Sequence, residues 1–183
     1  MPNKRRKIWR KIRRPLITGI LLLIFYSLQC TLFSTLSLGS IKPDLLMILT
    51  AAIGIMRGRK EGLLTGFFSG LLVDVQFGVL LGFYALIYMV IGYLNGFLKH
   101  LFFYEEIKLP VISIGISEFL YGILIYVFRF LLNSEFQFLY YLKHIILPQV
   151  IYTTIAAFIL YPLLRKINRR LEAEEKRSAS TFV

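Results

Sequence analysis

Four ionisable residues interrupt otherwise apolar segments of this chain, and their side chains are the ones that could do chemistry. They are Asp44, Asp74, Glu118 and Arg129. Charged groups inside a membrane are costly, so they usually face the interior of a helical bundle and find partners there. Glu118 and Arg129 are ~16 Å apart along a helix axis, too far to pair with each other. We predict that Arg129 neutralises Asp74 or Asp44, and that Glu118 meets polar groups such as Asn95 or a tyrosine hydroxyl. A structural and a functional role both remain open for these intramembrane polar residues.

The chain lacks the residue patterns that are typical of catalysis or of cofactor binding. The two histidines, His100 and His144, flank different apolar segments, and Cys30 is the only cysteine. One cysteine excludes an intramolecular disulfide and a cysteine metal cluster. No glycine-rich loop ends in Lys followed by Ser or Thr, as a phosphate-binding loop would. We therefore expect a protein that is not an enzyme, with no catalytic residue, cofactor or metal site.

Glycines recur at four-residue spacing in the stretch "EGLLTGFFSGLLVDVQFG", residues 61–78. Gly62, Gly66 and Gly70 fall on one helical stripe, and Gly92 and Gly96 repeat the spacing in a later segment. Small residues at this spacing allow close backbone approach, which drives helix association in membranes. The stripes therefore predict a helix-packing face, either within this chain's own bundle or against another protein.

The elements that position these residues are predicted to be membrane-spanning helices. Of the 183 residues, 57% are hydrophobic and only 17% are charged, and the mean hydropathy is +0.68. A soluble domain averages about a quarter charged residues. Six apolar segments are long enough, or nearly so, to cross a bilayer. They cover residues 15–38, 43–56, 61–80, 82–99, 109–132 and 145–164, with Pro15, Pro43, Pro110 and Pro148 at helix starts and Pro162 bending or ending the last one.

The basic residues predict the orientation of these six helices. Nineteen of the 22 Lys and Arg residues fall on one side if both termini are cytoplasmic, as the positive-inside rule requires. The short second segment leaves one rival, a re-entrant hairpin formed by segments two and three. That hairpin would place Arg57, Arg59 and Lys60 inside the bilayer, at a free-energy cost of roughly 2.5–3.5 kcal/mol each. We therefore favour a full crossing.

These patterns predict an all-α integral membrane protein with a single six-helix domain. The domain covers residues 15–167, preceded by a basic membrane-surface segment (1–14) and followed by a charged cytoplasmic tail (168–183). We expect its stretch "LEAEEKRSASTFV" (171–183) to be solvated and frayed. The net charge of +12 is explained by topology and by contact with anionic membrane lipids. We therefore expect no nucleic acid partner.

Three stretches in the middle of the chain carry a family resemblance. They are "KPDLLMIL" (42–49), "RGRKEGLLTGFFSGLLVDVQFG" (57–78) and "LGFYALIYMVIGYLNG" (81–96). Their shared features are Pro43 with Asp44, the Gly62, Gly66 and Gly70 series, Asp74, Gly78, Gly82, and Gly92 with Tyr93. In order and spacing they resemble the MreD family of bacterial rod shape-determining membrane proteins. Outside this middle half, the agreement is in length, topology and the basic N-terminus.

The resemblance implies a non-catalytic scaffold or regulatory subunit of the cell-elongation complex, multi-pass in the inner (cytoplasmic) membrane. The implied partners are MreC, the rod-complex glycosyltransferase and transpeptidase that build peptidoglycan, and MreB filaments. The implied fold is similar to the six-helix substrate-binding subunit of energy-coupling-factor transporters. That likeness raises an alternative, a solute-binding subunit of a vitamin-type transporter, whose pocket could use Asp44, Asp74 and Arg129.

Overall fold

The computed structural model describes residues 3–35, 42–77, 81–100, 107–133 and 137–180, and every element in these ranges is a helix. The elements are α1 (Asn3–Thr35), α2 (Leu45–Arg57), α3 (Arg59–Phe77), α4 (Phe83–Phe97), a 3₁₀ turn (Leu98–His100), α5 (Lys108–Asn133), α6 (Phe138–Tyr141), a π-helical turn (Leu142–Ile146) and α7 (Leu147–Ser180). The all-helical class predicted from the sequence is confirmed for these residues.

Consecutive helices run antiparallel, with α6, the π turn and α7 acting as one rod. In each pair with two contacts, the contact that lies further along the first helix lies nearer the start of the second. The contacts are Thr18 with Arg57 and Gln29 with Leu46 (α1–α2), Thr50 with Ser69 (α2–α3), Gly62 with Gly92 and Gly70 with Ala85 (α3–α4), Asn95 with Ser117 and Tyr88 with Tyr121 (α4–α5), and Glu118 with Gln149 and Gly115 with Thr154 (α5–α7).

The short helix α2 lies at the centre of the bundle. Every residue from Leu45 to Met56 is buried, and α2 packs against α1, α3, α4, α5 and α7. Its thirteen residues reach only ~20 Å, less than the ~30 Å hydrocarbon core of a bilayer. Because protein rather than lipid surrounds this helix, its ends can meet polar side chains of its neighbours.

Three of the described helical stretches are long and apolar enough to cross a membrane. They are Arg14–Thr31, Lys108–Phe128 and Phe138–Glu174, while Leu45–Arg57 and Phe83–Phe97 are shorter apolar helices. The antiparallel order is compatible with the predicted six crossings. The number of crossings and the side on which the termini lie remain predictions.

One of the predicted helix starts was wrong. Pro15 does not begin a helix, because α1 starts at Asn3 and continues through it, so no break separates residues 1–14 from the first span. Pro148 lies in the first turn of α7, as predicted, but a π-helical turn precedes it without a break. Proline cannot donate the usual backbone hydrogen bond, and the preceding turn widens so that Leu147 N–H donates to the Leu142 carbonyl, five residues back.

The last helix continues beyond residue 167, where the predicted domain ends. The α7 helix passes Pro162 and extends to Ser180. Asn168 and Leu171 are buried against the bundle, because the helical period returns them to its apolar face. The first turns of the predicted 168–183 tail therefore belong to the folded domain.

Candidate functional site

The glycine stripe of α3 faces α4 of the same chain. A Cβ atom added at Gly66 would collide with the backbone of Tyr88 and come within 2.9 Å of Met89 N. One at Gly70 would lie 2.5 Å from Ala85 N. The α3 and α4 backbones are therefore in direct contact, so this stripe packs inside the bundle, the first of the two alternatives that its spacing left open.

The stripe on α4 completes the same interface. A Cβ at Gly92 would lie 2.8 Å from the carbonyl carbon of Gly62, and one at Gly96 would come within 2.8 Å of the same atom of Gly58. A Cβ at Gly54 of α2 would lie 2.7 Å from the Gly92 carbonyl oxygen. Glycines of three helices thus meet at one point, which makes α2, α3 and α4 a closely packed unit.

Asp74 caps the helix that follows its own. Its two carboxylate oxygens accept hydrogen bonds from the backbone N–H groups of Gly82 (3.0 Å), Tyr84 (2.9 Å) and Ala85 (3.0 Å) at the start of α4. Gly82 has a positive φ of 99°, a conformation that favours glycine. First-turn N–H groups have no partner within their own helix, and an anion at a helix N-terminus is favourable. Asp74 thereby connects α3 to α4.

Asp44 is the N-cap of α2. Its Oδ1 accepts from Met47 N–H at 2.9 Å, which is the usual capping bond of an aspartate at this position. Its Oδ2 accepts a hydrogen bond from the Tyr88 hydroxyl on α4. Its backbone N–H donates to Thr153 Oγ1 on α7 at 3.1 Å. The residue is 5% exposed, so one aspartate joins three helices inside the bundle.

Glu118 is buried between α5 and α7, and only half of its carboxyl group is satisfied. Its Oε1 accepts from Gln149 Nε2 at 2.7 Å. Its Oε2 has no hydrogen-bond partner among the described residues, although the side chain is 1% exposed. Asn95, the partner suggested by the sequence, instead bonds Ser117 (2.7 Å) and Ser113 (2.9 Å). Glu118 thus meets a polar group, as expected, but Asn95 is not that group, because the two serines on α5 bond its amide.

These residues form one group, which we call the carboxyl cluster. Its members are Asp44, Tyr88, Glu118, Tyr121, Gln149 and Thr153. Tyr88 and Tyr121 pack edge to face with ring centroids 5.4 Å apart. The Tyr88 hydroxyl bonds Asp44, and Tyr121 follows Glu118 by three residues on α5, so the two side chains lie on the same helix face. The cluster therefore concentrates acceptor oxygens between α2, α4, α5 and α7.

The predicted pairing of Arg129 with Asp74 or Asp44 falls partly outside the described residues. Arg129 lies on α5, but its side chain is not among those described. The described partners of both aspartates are uncharged: three backbone amides for Asp74, and an amide and a tyrosine hydroxyl for Asp44. The pairing stays a prediction.

Sequence reasoning treated Arg57 only as a topology signal, yet its side chain is 4% exposed. It donates to Asn168 Oδ1 (2.7 Å), Thr18 Oγ1 (2.8 Å) and Glu61 Oε2 (3.1 Å). Arg57 therefore joins α1, α3 and α7 around the end of α2. Nothing in the local sequence indicates this role, since its partners come from distant segments. Gln149 was missed as well, although a lone amide in an apolar run is a usable signal.

An apolar groove separates α1 from α3. Its volume is about 850 Å³, and an ion pair between Arg14 and Glu61 (3.4 Å) closes one end. A Cβ at Gly19 would meet no atom within 4 Å. The remaining walls are almost wholly apolar: Pro15, Leu22, Leu23, Leu64, Phe68, Leu71, Leu72 and Val75. The groove is thus long and apolar, and it faces outward from the bundle.

The arrangement offers packing surfaces and acceptor oxygens rather than an activated nucleophile. Among the described residues, no group of three or more His, Cys, Asp or Glu side chains could hold a metal ion. Comparison with curated proteins gave no match, and comparison with solved structures gave none either. The chain does match the protein family described as rod shape-determining protein MreD, over residues 10–171. Since the match covers most of the 183 residues, this chain is a membrane protein that belongs to the MreD family of rod shape-determining proteins.

Proposed function

We propose that this chain is a non-catalytic scaffold of the cell-elongation complex, which holds MreC and the peptidoglycan glycosyltransferase and transpeptidase together in the inner membrane. Family membership supports the role in rod-shape determination. The proposed topology is six crossings with both termini cytoplasmic, which the antiparallel helix order and the distribution of basic residues support. MreB filaments on the cytoplasmic side would be a further partner.

The observation that carries the scaffold proposal is the groove between α1 and α3. Its α3 wall extends from Glu61 to Val75, which corresponds to ~21 Å of helix axis. That length covers most of a bilayer core. Small residues permit close helix contact in lipid, and Gly19, Thr18 and Thr65 lie in its walls. We infer that a transmembrane helix of MreC occupies this groove, with its side chains against Gly19 and Phe68.

The test is affinity purification of the tagged full chain from membranes, with MreC measured in the eluate. Phe68→Ala removes a contact surface from the groove wall, and the Gly19→Leu side chain occupies the space where the MreC helix would lie. Both variants should therefore lower MreC recovery at least several-fold. Phe158→Ala is the matched control, because Phe158 lies on α7 outside the groove and is 59% exposed, close to the 53% of Phe68. Its recovery should equal that of the wild type.

Three results would contradict this proposal. Wild-type chain that recovers no MreC contradicts the scaffold role, and equal recovery by all variants contradicts the groove. Normal rod shape after depletion, together with thermal stabilisation of the purified chain by one vitamin, would favour the solute-binding alternative. Size-exclusion profiles in detergent establish that each variant is folded before its recovery is compared.

A further inference from the structure

The unpartnered oxygen of Glu118 raises a question that helix packing alone does not answer. Buried polar atoms nearly always have a hydrogen-bond partner, and leaving one unsatisfied costs free energy. Glu118 Oε2 is buried without one. Protonation of this oxygen would turn it into a donor, so a proton is the rival of any other occupant and the test below must distinguish the two.

The local packing encloses this oxygen. Gly115 and Gly122 lie on either side of Glu118, about one turn away, and both allow α7 to approach α5. A Cβ at Gly115 would lie 2.8 Å from Thr154 Oγ1, and one at Gly122 would lie 3.0 Å from Ile146 Cγ2. The two helices are therefore close above and below the carboxyl group, which leaves it between them.

The charge balance of the carboxyl cluster points to a positive occupant. Asp44 and Glu118 bring two buried carboxyl groups into the cluster, and the described members of the cluster include no Lys, Arg or His. A buried carboxylate is costly unless it is paired, coordinates a cation or takes up a proton. One arginine could neutralise one carboxylate, so even the predicted pairing of Arg129 with Asp44 would leave Glu118 uncompensated.

We propose that the carboxyl cluster binds a small monovalent cation at Glu118 Oε2. Carboxylate, hydroxyl and carbonyl oxygens suit hard cations, and the cluster supplies them from Glu118, the two tyrosines and Thr153. A bound cation would tie α5 to α4 and α7, since its oxygen ligands come from all three helices. This inference does not depend on the scaffold proposal, because it concerns the interior of the bundle rather than its groove.

The experiment is thermal unfolding of the purified full chain in detergent, with NaCl, KCl or choline chloride at equal ionic strength. Choline is too large to enter an enclosed site. We expect Na⁺ or K⁺ at about 100 times its Kd to raise the unfolding midpoint by roughly 5–10 °C over choline. The Glu118→Gln variant should lose this difference. Glu172→Gln is the control, because Glu172 bonds Asn168 away from the cluster, and it should keep the difference.

Equal midpoints of the wild type in all three salts would overturn the proposal, and so would an Na⁺ or K⁺ effect that Glu118→Gln retains. If Glu118→Gln does not yield folded protein, Tyr88→Phe replaces it. The cation concentration that gives half of the thermal stabilisation should then be at least several-fold higher than for the wild type. If that concentration is unchanged in Tyr88→Phe, the cluster is not the site. A wild-type midpoint that changes with pH but not with cation identity would indicate proton binding instead and would also overturn it.

Discussion

Asp44 and Asp74 carry the same chemical group, and the helix termini around them give that group different partners. Asp74 accepts hydrogen bonds from three backbone N–H groups at the start of α4, so all of its described partners belong to one helix start. Asp44 accepts one hydrogen bond from a backbone N–H and another from a tyrosine hydroxyl of a different helix. Asp74 is therefore a cap that fixes one interhelix turn, whereas Asp44 also connects the carboxyl cluster.

Removal of the Asp74 carboxylate should destabilise the start of α4. Loss of a capping side chain typically costs about 0.5–2 kcal/mol, and each buried N–H left unsatisfied costs roughly 1–3 kcal/mol more. We expect Asp74→Ala to lower the free energy of unfolding by at least ~2 kcal/mol, with a smaller loss for Asp74→Asn. Unfolding of the purified chain in a denaturing detergent series measures this.

The control for this prediction is the adjacent residue. Val75 is 76% exposed, so Val75→Ala removes apolar surface without touching the cap, and its unfolding should match that of the wild type. The prediction fails if the free energies of unfolding of Asp74→Ala and Val75→Ala differ by less than about 0.5 kcal/mol, the usual range for surface substitutions. The hydrogen bonds from the three amides to the carboxylate would then not contribute to stability.

At the scale of elements, the glycine spacing contains more information than the charges do. Four-residue glycine spacing on α3 and α4 predicted a close-packing face. Asp44 before an apolar run is a standard N-cap signal, but we interpreted it as an intramembrane charge. The cap that Asp74 places on the next helix was not predictable, because it depends on how the chain turns between α3 and α4. The Arg57 contacts with Thr18 and Asn168 were not predictable either, since they need three distant segments to be positioned first.

Gly66 and Gly19 provide a matched pair for testing this packing. Both are helical glycines, and alanine is intrinsically better in a helix by roughly 0.5–1 kcal/mol. A Cβ at Gly19 meets nothing within 4 Å, whereas one at Gly66 collides with the Tyr88 backbone. Gly19→Ala should therefore be neutral or stabilising. Gly66→Ala should lose ~1–3 kcal/mol through overpacking, and Gly66→Leu more.

Unfolding midpoints and the yield of monodisperse protein in detergent measure both effects. The close-packing interpretation requires Gly66→Ala to be clearly less stable than Gly19→Ala. If Gly66→Ala is as stable as Gly19→Ala, the α3 and α4 backbones are not in contact in the membrane. Leu64→Val, on the exposed side of α3, should change neither quantity.

At the scale of the whole molecule, the sequence predicted the all-helical class and the positions of the apolar helices better than the helix ends. Hydropathy locates apolar segments well because the bilayer imposes a minimum length. It does not reveal that α2 is central, because burial by protein and burial by lipid require the same apolar side chains. It also does not reveal that α1 and α7 continue beyond their apolar parts, since a helix can extend into water without a change in its backbone hydrogen bonds.

The predicted topology can be tested with single cysteines and an impermeant thiol reagent on intact cells. Lys60 and Lys143 are both exposed and lie at opposite ends of the antiparallel bundle, at the start of α3 and just before α7. In a Cys30→Ser background, Lys143→Cys should be labelled from outside, and Lys60→Cys only after permeabilisation.

Arg57 is a poorer probe because its buried side chain bonds three helices. Labelling of both positions from outside would contradict six crossings with cytoplasmic termini. Serine retains a donor for Gln76, which Cys30 contacts at 3.3 Å, so the background itself should remain folded.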